Sequence, residues 1–443
     1  MIGLSLGLIG QNRKALAMNK KLIIGIAAGL AAVLVCGFAA YEIFFVKRGL
    51  VETSEGTYYY DLTGKPVTGM QTMENHAVRY FDPETKLMAT GEKQIEGSNY
   101  LFDGDGVMLY GRQQVNNVYK YFDPKTGKML TGWIETDDGK YYSDEKGVGA
   151  SGLTDVEGKN YFFDKKTGLM VKGIVNDGDE TYGFDEETGI ALDGIVEGQD
   201  GTKRGFIGGK MLKSCRAYEK NHLYYFDAEG TLCREIDGTK KMVALTYDDG
   251  PSVYTDAILD VFVEYNQKAT FFVVGDRISW NEDQAKREAE LGFQQGNHTY
   301  NHNVLTKLSE DKIKEKLKKT DDELVRIGGK PSVYLRPPEG RYNDTLKKTC
   351  GCPIILWSVD SRDWESKDCD KVCNQIIGKV KDGDIVLMHD LYKSTAEATK
   401  RIVPALVKEG FQLVTVEEMA ILKTDGKGLE NGVVYTRISG NKK

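Results

Sequence analysis

The chain has 443 residues and a formal net charge of −7. It exceeds one ordinary domain, and it lacks the general basic surface that a nucleic-acid binder working through phosphate contacts requires, so no nucleic acid is expected. Fifty glycines and 24 tyrosines against 9 prolines point to many turns between half-buried aromatic strands rather than to disorder.

From Leu22 to Tyr41 the sequence LIIGIAAGLAAVLVCGFAAY gives twenty consecutive uncharged, mostly apolar positions, enough to span a bilayer as a helix. Arg13, Lys14, Lys20 and Lys21 precede the run and Lys47 and Arg48 follow it. This modest positive-inside bias places residues 1–21 in the cytoplasm and the bulk of the chain outside. The expectation is a single-pass anchor over 22–45 in the cell membrane, with everything beyond it extracellular. The alternative is a cleaved signal peptide, since GFAA supplies small residues near the end of the run; the chain would then be secreted.

Cys36 lies inside the run and reads as an apolar residue. Cys215, Cys233, Cys350, Cys352, Cys369 and Cys373 lie beyond it, an even number compatible with disulfides. Cys369 and Cys373 share a helix face, which leaves pairing with Cys350 and Cys352 open. The CxC and CxxxC spacings fit structural zinc knuckles poorly.

Residues 53–237 are repetitive. Segments such as YYYDLTGK, RYFDPETK, KYFDPKTGKM, YFFDKKTGLM and YYFDAEGT place an aspartate at 61, 82, 103, 123, 144, 164, 185 and 227. The steps are 20 or 21 residues and then 42, two periods across a degenerate unit near Gly205–Gly209. Each unit reads as an aromatic strand, a D-x-x-T-G turn and a second short strand, a hairpin signature. A lone hairpin is marginal, so the units must stack, giving an all-β, elongated hairpin-repeat solenoid. The units resemble the choline- or glucan-binding repeats of bacterial surface proteins. That resemblance implies contact with cell-wall glycan or teichoic acid through aromatic cages that hold quaternary ammonium by cation–π attraction. Trp133 is the single tryptophan in this stretch, and the tyrosines equally fit a solenoid core that is only a spacer for the C-terminal half of the chain.

From Lys240 the texture changes. MVALTY, ATFFVVG, VYLRPP, IILWSVD, IVLMHD and QLVTVEEM read as strands; TDAILDVFVEYN, EDQAKREAELG, SEDKIKEKLKKTDDELVRIGG and TAEATKRIVPALVKEG read as helices. Nearly all-apolar strands alternating with helices mean a parallel sheet covered by helices. Residues 238–425 are too few for a full eight-fold barrel, so a shortened, distorted (β/α) barrel is expected, with chemistry at the strand ends. Residues 426–443 read as a C-terminal tail.

The chain has five histidines, and His298, His302 and His389 follow strands of this last domain. His298 and His302 form H-x-x-x-H, a spacing that converges two imidazoles on one face of a helix or in a compact loop. With a carboxylate from Asp248 or Asp249 they would make a three-ligand metal site with an open position. Two adjacent aspartates at the mouth of a buried strand are costly unless something cationic lies between them.

TYDDGPS, HTYNH, RPPEGRYN, DSRDW and LMH occur in the order of the five motifs of the polysaccharide deacetylases, the NodB-homology carbohydrate esterases of family four, which residues 241–420 resemble. The resemblance implies removal of N-acetyl groups from N-acetylglucosamine in cell-wall polysaccharide, foremost peptidoglycan, with N- or O-deacetylation of other glycans as the enzymatic alternative and a non-catalytic glycan-binding protein as the alternative of another class. It implies that Asp249, His298 and His302 hold one divalent ion, zinc first, with cobalt or another divalent ion as alternatives. Asp248 would be the general base, paired with Arg336; His389 the general acid, steered by Asp363; Trp364 and Leu387 a wall around the acetyl methyl; Tyr342 a substrate contact. A backbone N–H near Glu339 and Gly340 would meet the oxyanion. Two positions depart from the motif: Tyr247 stands where phenylalanine is usual, and Glu339 where an aromatic or small residue is usual, which bears on substrate preference.

Overall fold

The computed structural model describes residues 47–440. The expected anchor over 22–45, with Cys36, and the segment 1–21 lie outside them. Among the described residues no helix is long and apolar enough to cross a membrane. The chain forms two compact units: one runs to Val175 and takes in Phe184–Ala191, the other holds Asn176–Gly183 and everything from Leu192 onward.

In the first unit two-stranded antiparallel hairpins recur, for example Gly91–Ile95 with Ser98–Phe102 and Gly111–Val115 with Val118–Phe122. Their turns are Glu96-Gly97 and Asn116-Asn117, with φ of 48° and 80° and of 49° and 65°. Two successive positive φ values make the tight turn whose twist matches a hairpin. The aromatic strand is therefore the second strand of its hairpin, not the first, and the aspartate turn lies after the hairpin. There the side chain itself folds the loop. Asp103 accepts the N–H groups of Asp105 and Val107 at 2.9 and 2.8 Å, and Asp123 those of Lys125 and Thr126 at 3.0 and 2.7 Å.

The short segment after each such loop makes a single bridge back to its own hairpin, as Phe102 to Met108 and Phe122 to Met129. It also donates one N–H to the preceding hairpin: Met108 to the Val78 carbonyl at 2.8 Å and Met129 to that of Asn99 at 2.7 Å. Phe81, Phe102, Phe122 and Phe163 are buried between these layers. Stacking thus combines one backbone hydrogen bond per repeat with aromatic burial, which supplies the apolar face that a single hairpin lacks.

In the second unit a parallel sheet runs in the order Gln294–Asn297, Thr270–Val273, Met242–Asp248, Ile385–His389, Val359–Asp360, with Gln412–Leu413 paired to the start of Met242–Asp248. Single parallel bridges carry the pairing on from Asn297 to Leu335 and from Leu335 to Ile354. Since 354–360 is one continuous stretch, the pairing returns to Ile385–His389 and the parallel strands form a nearly closed ring. Helices Thr255–Glu264, Glu282–Glu290, Glu310–Arg326, Cys369–Ile376 and Lys393–Lys408 cover it; all but Glu282–Glu290, which buries only Ala285 and Glu288, turn an apolar stripe to the ring and charge outward.

Three stretches differ from the sequence reading. QLVTVEEM is a strand only at Gln412–Leu413. Thr415 then caps the helix Val416–Lys423 through a reciprocal capping box with Glu418, the T-x-x-E signal that ends a strand and starts a helix. VYLRPP contributes only the isolated bridges of Leu335 to Asn297 and Ile354 rather than a full strand, because Pro337 and Pro338 cannot donate to a ladder. The stretch read as a tail pairs through Val434 and Tyr435 with Ile354 and Ile355.

The last repeats share the second unit. The three-stranded sheet Cys215–Glu219, His222–Phe226, Leu232–Asp237 sends Leu223 and Ile236 into one core with Met242, Val416 and Met419. Behind them Arg234 pairs with Glu418, Nη2 to Oε2 at 3.2 Å, and the Tyr225 hydroxyl donates to Glu418 at 2.6 Å. Burial alone would raise the Glu418 carboxyl, but the Arg234 charge and these hydrogen bonds outweigh it and hold it below its ordinary value. All six described cysteines are free thiols. Cys350 and Cys352 pack beside Leu346, Cys373 in a different core cluster.

Candidate active site

The strand Met242–Asp248 is buried throughout, and Asp248 and Asp249 follow its apolar run at the end where parallel strands open into loops. Asp249 has φ 72°, a left-handed turn that sends the two carboxylates in different directions. Gly250 has no room for a side chain, since an added Cβ would lie 2.1 Å from the Asp390 carboxylate. Asp390 in turn accepts from the Thr255 hydroxyl, and its carbonyl from that of Ser252. The Asp249 carbonyl accepts from Arg277. This loop is held on every side.

His298 and His302 lie in the loop after Gln294–Asn297, not on a helix. Thr299 and His302 both have positive φ, 67° and 54°, a cost retained where surroundings over-determine the backbone. Here Asn297 supplies the restraint: its Oδ1 accepts the Thr299 N–H at 2.8 Å while its Nδ2 donates to the Leu317 carbonyl at 2.9 Å. His298 Nδ1 donates to the Arg336 carbonyl at 2.7 Å, so its Nε2 lone pair faces Asp249. Burial drives the His298 pKa down to about 3, against the pull of Asp249, and the imidazole is neutral.

Asp249 Oδ1 lies 3.5 Å from His298 Nε2 and 3.3 Å from His302 Nε2, and the three ligand atoms fall within 4.8 Å of one another. Asp249 Oδ1 is buried without a hydrogen-bond partner, a costly state for a carboxylate. The donor set and its orphaned oxygen fit a divalent cation.

Beside this triad Arg336 is fully buried under Phe272, 4.1 Å from the ring centroid. Its Nη1 donates to Asp248 Oδ1 at 2.6 Å and to the Thr246 hydroxyl at 2.7 Å; Nε and Nη2 donate to the Ile355 and Leu356 carbonyls, both at 3.1 Å. Burial pushes the Asp248 carboxyl up, and the guanidinium opposes it. Burial prevails and leaves the carboxyl above its ordinary value, while every Arg336 nitrogen is engaged.

On the neighbouring strand Asp248 stands in register with His389. His389 Nδ1 lies 2.8 Å from Asp363 Oδ1; Asp363 Oδ2 accepts the His389 backbone N–H at 2.6 Å and the Thr395 hydroxyl at 2.8 Å. Burial alone would lower the His389 pKa, but the hydrogen bond and charge of Asp363, with Asp248 and Asp249, raise it to about 9.

The remaining sequence candidates divide. Leu387 is buried two residues before His389, on the same face of the strand. Trp364 is 49% exposed and Tyr342 43%, both surface side chains; the Tyr342 ring faces Lys347 at 5.6 Å. Glu339 has φ 58° and points outward, its carboxylate 2.8 Å from Arg341. The Gly340 N–H is taken by the Pro337 carbonyl at 2.9 Å, which leaves that of Glu339 as the one with no acceptor among the described residues. Thr246, Asn297 and Thr395 went unread in the sequence, because each acts through a partner remote in the chain.

Known proteins resemble this chain in two places. The family described as polysaccharide deacetylase matches residues 235–351, stopping short of Asp363 and His389, and that described as choline-binding repeat matches 89–132. A peptidoglycan-N-acetylglucosamine deacetylase of Bacillus cereus is 35% identical over 202 residues, 43% of this chain and 93% of that protein. A peptidoglycan-N-acetylmuramic acid deacetylase of Bacillus subtilis is 34% identical over 189 residues, 42% of this chain and 40% of the relative. A peptidoglycan-N-acetylglucosamine deacetylase of Listeria monocytogenes is 38% identical over 182 residues, 41% and 39%. The chain spans about two fifths of the length of these last two relatives.

Proposed function

The chain belongs to the polysaccharide deacetylases, and on that premise we propose that it removes N-acetyl groups from N-acetylglucosamine residues of cell-wall polysaccharide, with peptidoglycan as the substrate. The observation that carries this reading is the juxtaposition at two neighbouring strand ends. A buried, hydrogen-bonded Asp248–Arg336 pair stands in register with an imidazole held by a buried carboxylate, beside a triad that fits a cation.

Asp249, His298 and His302 would hold the ion, zinc in this reading; when bound it supplies a Lewis acid that acidifies water to a pKa of about 7 and polarises the amide carbonyl. Asp248 accepts the proton of the attacking water. Arg336 favours the ionised form of Asp248 and fixes which oxygen faces the site, because Oδ1 is committed to the guanidinium. The Glu339 N–H meets the oxyanion. His389, protonated and oriented by Asp363, gives its proton to the departing amine. Leu387 and Trp364 bound the acetyl methyl, and Tyr342 contacts the sugar chain. The C–N bond breaks, acetate leaves, and the glycan keeps a free amine that is cationic at neutral pH.

In the same reading residues 22–45 anchor the chain in the membrane with the enzyme outside, and the repeats touch wall polymer. The cluster of Trp133 with Tyr142 and Tyr161, at 5.4 and 4.9 Å between centroids, supports such a contact. Acetate release from N-acetylglucosamine oligomers and from peptidoglycan by the full chain, with and without chelator, tests the proposal. Chelator-sensitive release is expected. Release that survives complete removal of divalent ions would overturn it.

A further inference from the structure

The turn Pro337-Pro338-Glu339-Gly340 presents the unengaged Glu339 N–H in a strained backbone. Glu339 and Gly340 have φ of 58° and 66° in succession, and a non-glycine residue holds that conformation only where its surroundings impose it. Within the turn the Gly340 N–H reaches the Pro337 carbonyl at 2.9 Å and the Arg341 N–H that of Pro338 at 3.2 Å, while the two prolines fix the entry. The Glu339 side chain gives no inward support, since its carboxylate turns out to Arg341 at 2.8 Å.

That support comes from Trp357. A Cβ added at Gly340 would lie 3.0 Å from Trp357 Cη2 and 3.5 Å from Cζ3, with Leu356 Cδ2 next at 3.7 Å. The outer edge of the indole thus stands where any other residue at 340 would carry its side chain. The same ring faces the guanidinium of Arg336, whose central carbon is 5.8 Å from the ring centroid, within cation–π range. Arg336 Nη2 also donates to the carbonyl of Leu356, the residue before Trp357. Trp357 is half-buried and the sequence reading placed it only as one letter of the strand IILWSVD. In the fold it has one neighbour in the Asp248–Arg336 pair that holds the base and another in the turn that offers the oxyanion donor.

We propose that Trp357 is a positioning residue, its ring setting the separation between the Asp248–Arg336 pair and the Glu339 N–H. This rests on the deacetylase reading and deepens it. The tetrahedral centre forms between the water that Asp248 deprotonates and the donor that meets the new oxyanion. The spacing of those two groups therefore bears on the transition state far more than on the bound amide. Disturbing Trp357 should lower kcat and spare KM, whereas a tryptophan that served as a platform for the sugar would show the reverse.

The test compares the full chain with W357F, G340A and G340A/W357F on an N-acetylglucosamine oligomer and on peptidoglycan. In G340A the new methyl meets the indole edge and pushes the turn outward. Its kcat should fall about tenfold, short of the hundredfold or more that loss of a whole oxyanion donor costs, with KM within about twofold. Phenylalanine lacks the outer ring atoms, so W357F opens the contact and also lowers kcat. In the double variant the methyl fills the space those atoms leave, and kcat should exceed that of G340A by about fivefold or more. The strain of alanine in a left-handed turn is common to G340A and the double variant and cancels between them. A double variant no faster than G340A, or a raised KM with kcat intact in W357F, overturns the positioning role and leaves the deacetylase standing. No acetate release by the unsubstituted chain from either substrate fails the deacetylase reading instead. Amide exchange then decides the role of Trp357 without turnover: the Gly340 and Arg341 N–H groups should exchange faster in W357F, and unchanged rates there overturn it.

Discussion

Aspartate does opposite work in the two units. In the repeats Asp123 and Asp164 are half-buried, and each commits its carboxylate to N–H groups two and three residues ahead. Those donors, the N–H of Thr126 foremost for Asp123, hold its pKa below the ordinary carboxylate value. At the strand ends Asp248 and Asp363 are buried, and their partners stand 88 and 26 residues away. A local aspartate folds its own loop and asks nothing of the rest of the molecule. A remote one is tolerated only inside a finished fold, where a guanidinium or imidazole is delivered to it. Perturbing each class should therefore separate chemistry and global stability from local order.

The largest effect is expected where a buried aspartate meets substrate. Asp248→Asn keeps the shape and a hydrogen bond from Arg336 but loses the base, so kcat should fall by about 10²–10⁴ while the bound-ion stoichiometry stays at the wild-type value. His298→Ala, one side chain away, should lose the ion itself, read by elemental analysis. Equal ion loss in both variants would merge the roles that the geometry separates.

Next comes the ion pair that ties the last repeat to the catalytic sheet. Glu418→Ala strands Arg234 in a site where the pair is 9% and 4% exposed, and breaking such a pair costs about 3 kcal/mol or more. The denaturation midpoint of the second unit should drop accordingly. The Glu418 pKa is depressed in the folded state, so its contribution is full above the unfolded value of about 4.3 and is lost as pH falls through the folded one. Glu418→Gln should flatten that acid dependence. Deleting residues 192–237 should also destabilise the catalytic unit, because Leu223 and Ile236 belong to its core. A fragment from 238 onward with undiminished stability would contradict this packing.

A smaller effect should be seen in the pH profile. His389 must carry a proton to donate it, and its pKa is raised to about 9, so kcat should decline as pH rises through that value. Asp363→Asn removes the charge that sustains the shift, and the alkaline limb should move down by about one to three units. An unmoved limb would assign it to another group.

Legibility in the sequence obeys the same division. The 20–21-residue period was plain because every repeat carries its own aspartate loop. The aspartates at 248–249 and the histidines at 298, 302 and 389 were plain because each comes after an apolar run at a strand end; Arg336 and Asp363 were named only through the resemblance to the deacetylase motifs. Hairpin register was misread: the D-x-x-T-G loop looks like a hairpin turn, whereas the true turns, Glu96-Gly97 and Asn116-Asn117, sit just before the aromatic strand. The T-x-x-E at Thr415 was absorbed into an apolar strand. Arg234 with Glu418, 184 residues apart, and Thr395 with Asp363, 32 apart, left no local trace, since neither end of such a pair has a pattern until the fold brings its partner.

The smallest effect is expected in the repeats, and it sharpens the comparison most cleanly. Gly127 has φ 72°, and a Cβ added there would lie 2.6 Å from Met108 Sδ, the methionine of the preceding repeat. Gly106 meets Met88 and Gly147 meets Met129 in the same way, at 2.4 and 2.3 Å. The glycine that closes each aspartate loop is thus required twice, by a left-handed backbone and by the side chain it receives. Gly127→Ala should cost about 1–2 kcal/mol for the backbone alone, somewhat more if Met108 cannot swing aside. Since the contacts are with the adjacent repeat, amide exchange should quicken around 99–129 and stay unchanged in the catalytic strands. Acetate release from a soluble oligomer should keep its wild-type rate. If Gly127→Ala lowered that rate, the repeats would be coupled to the chemistry and aspartate's two kinds of work would not be separable by unit.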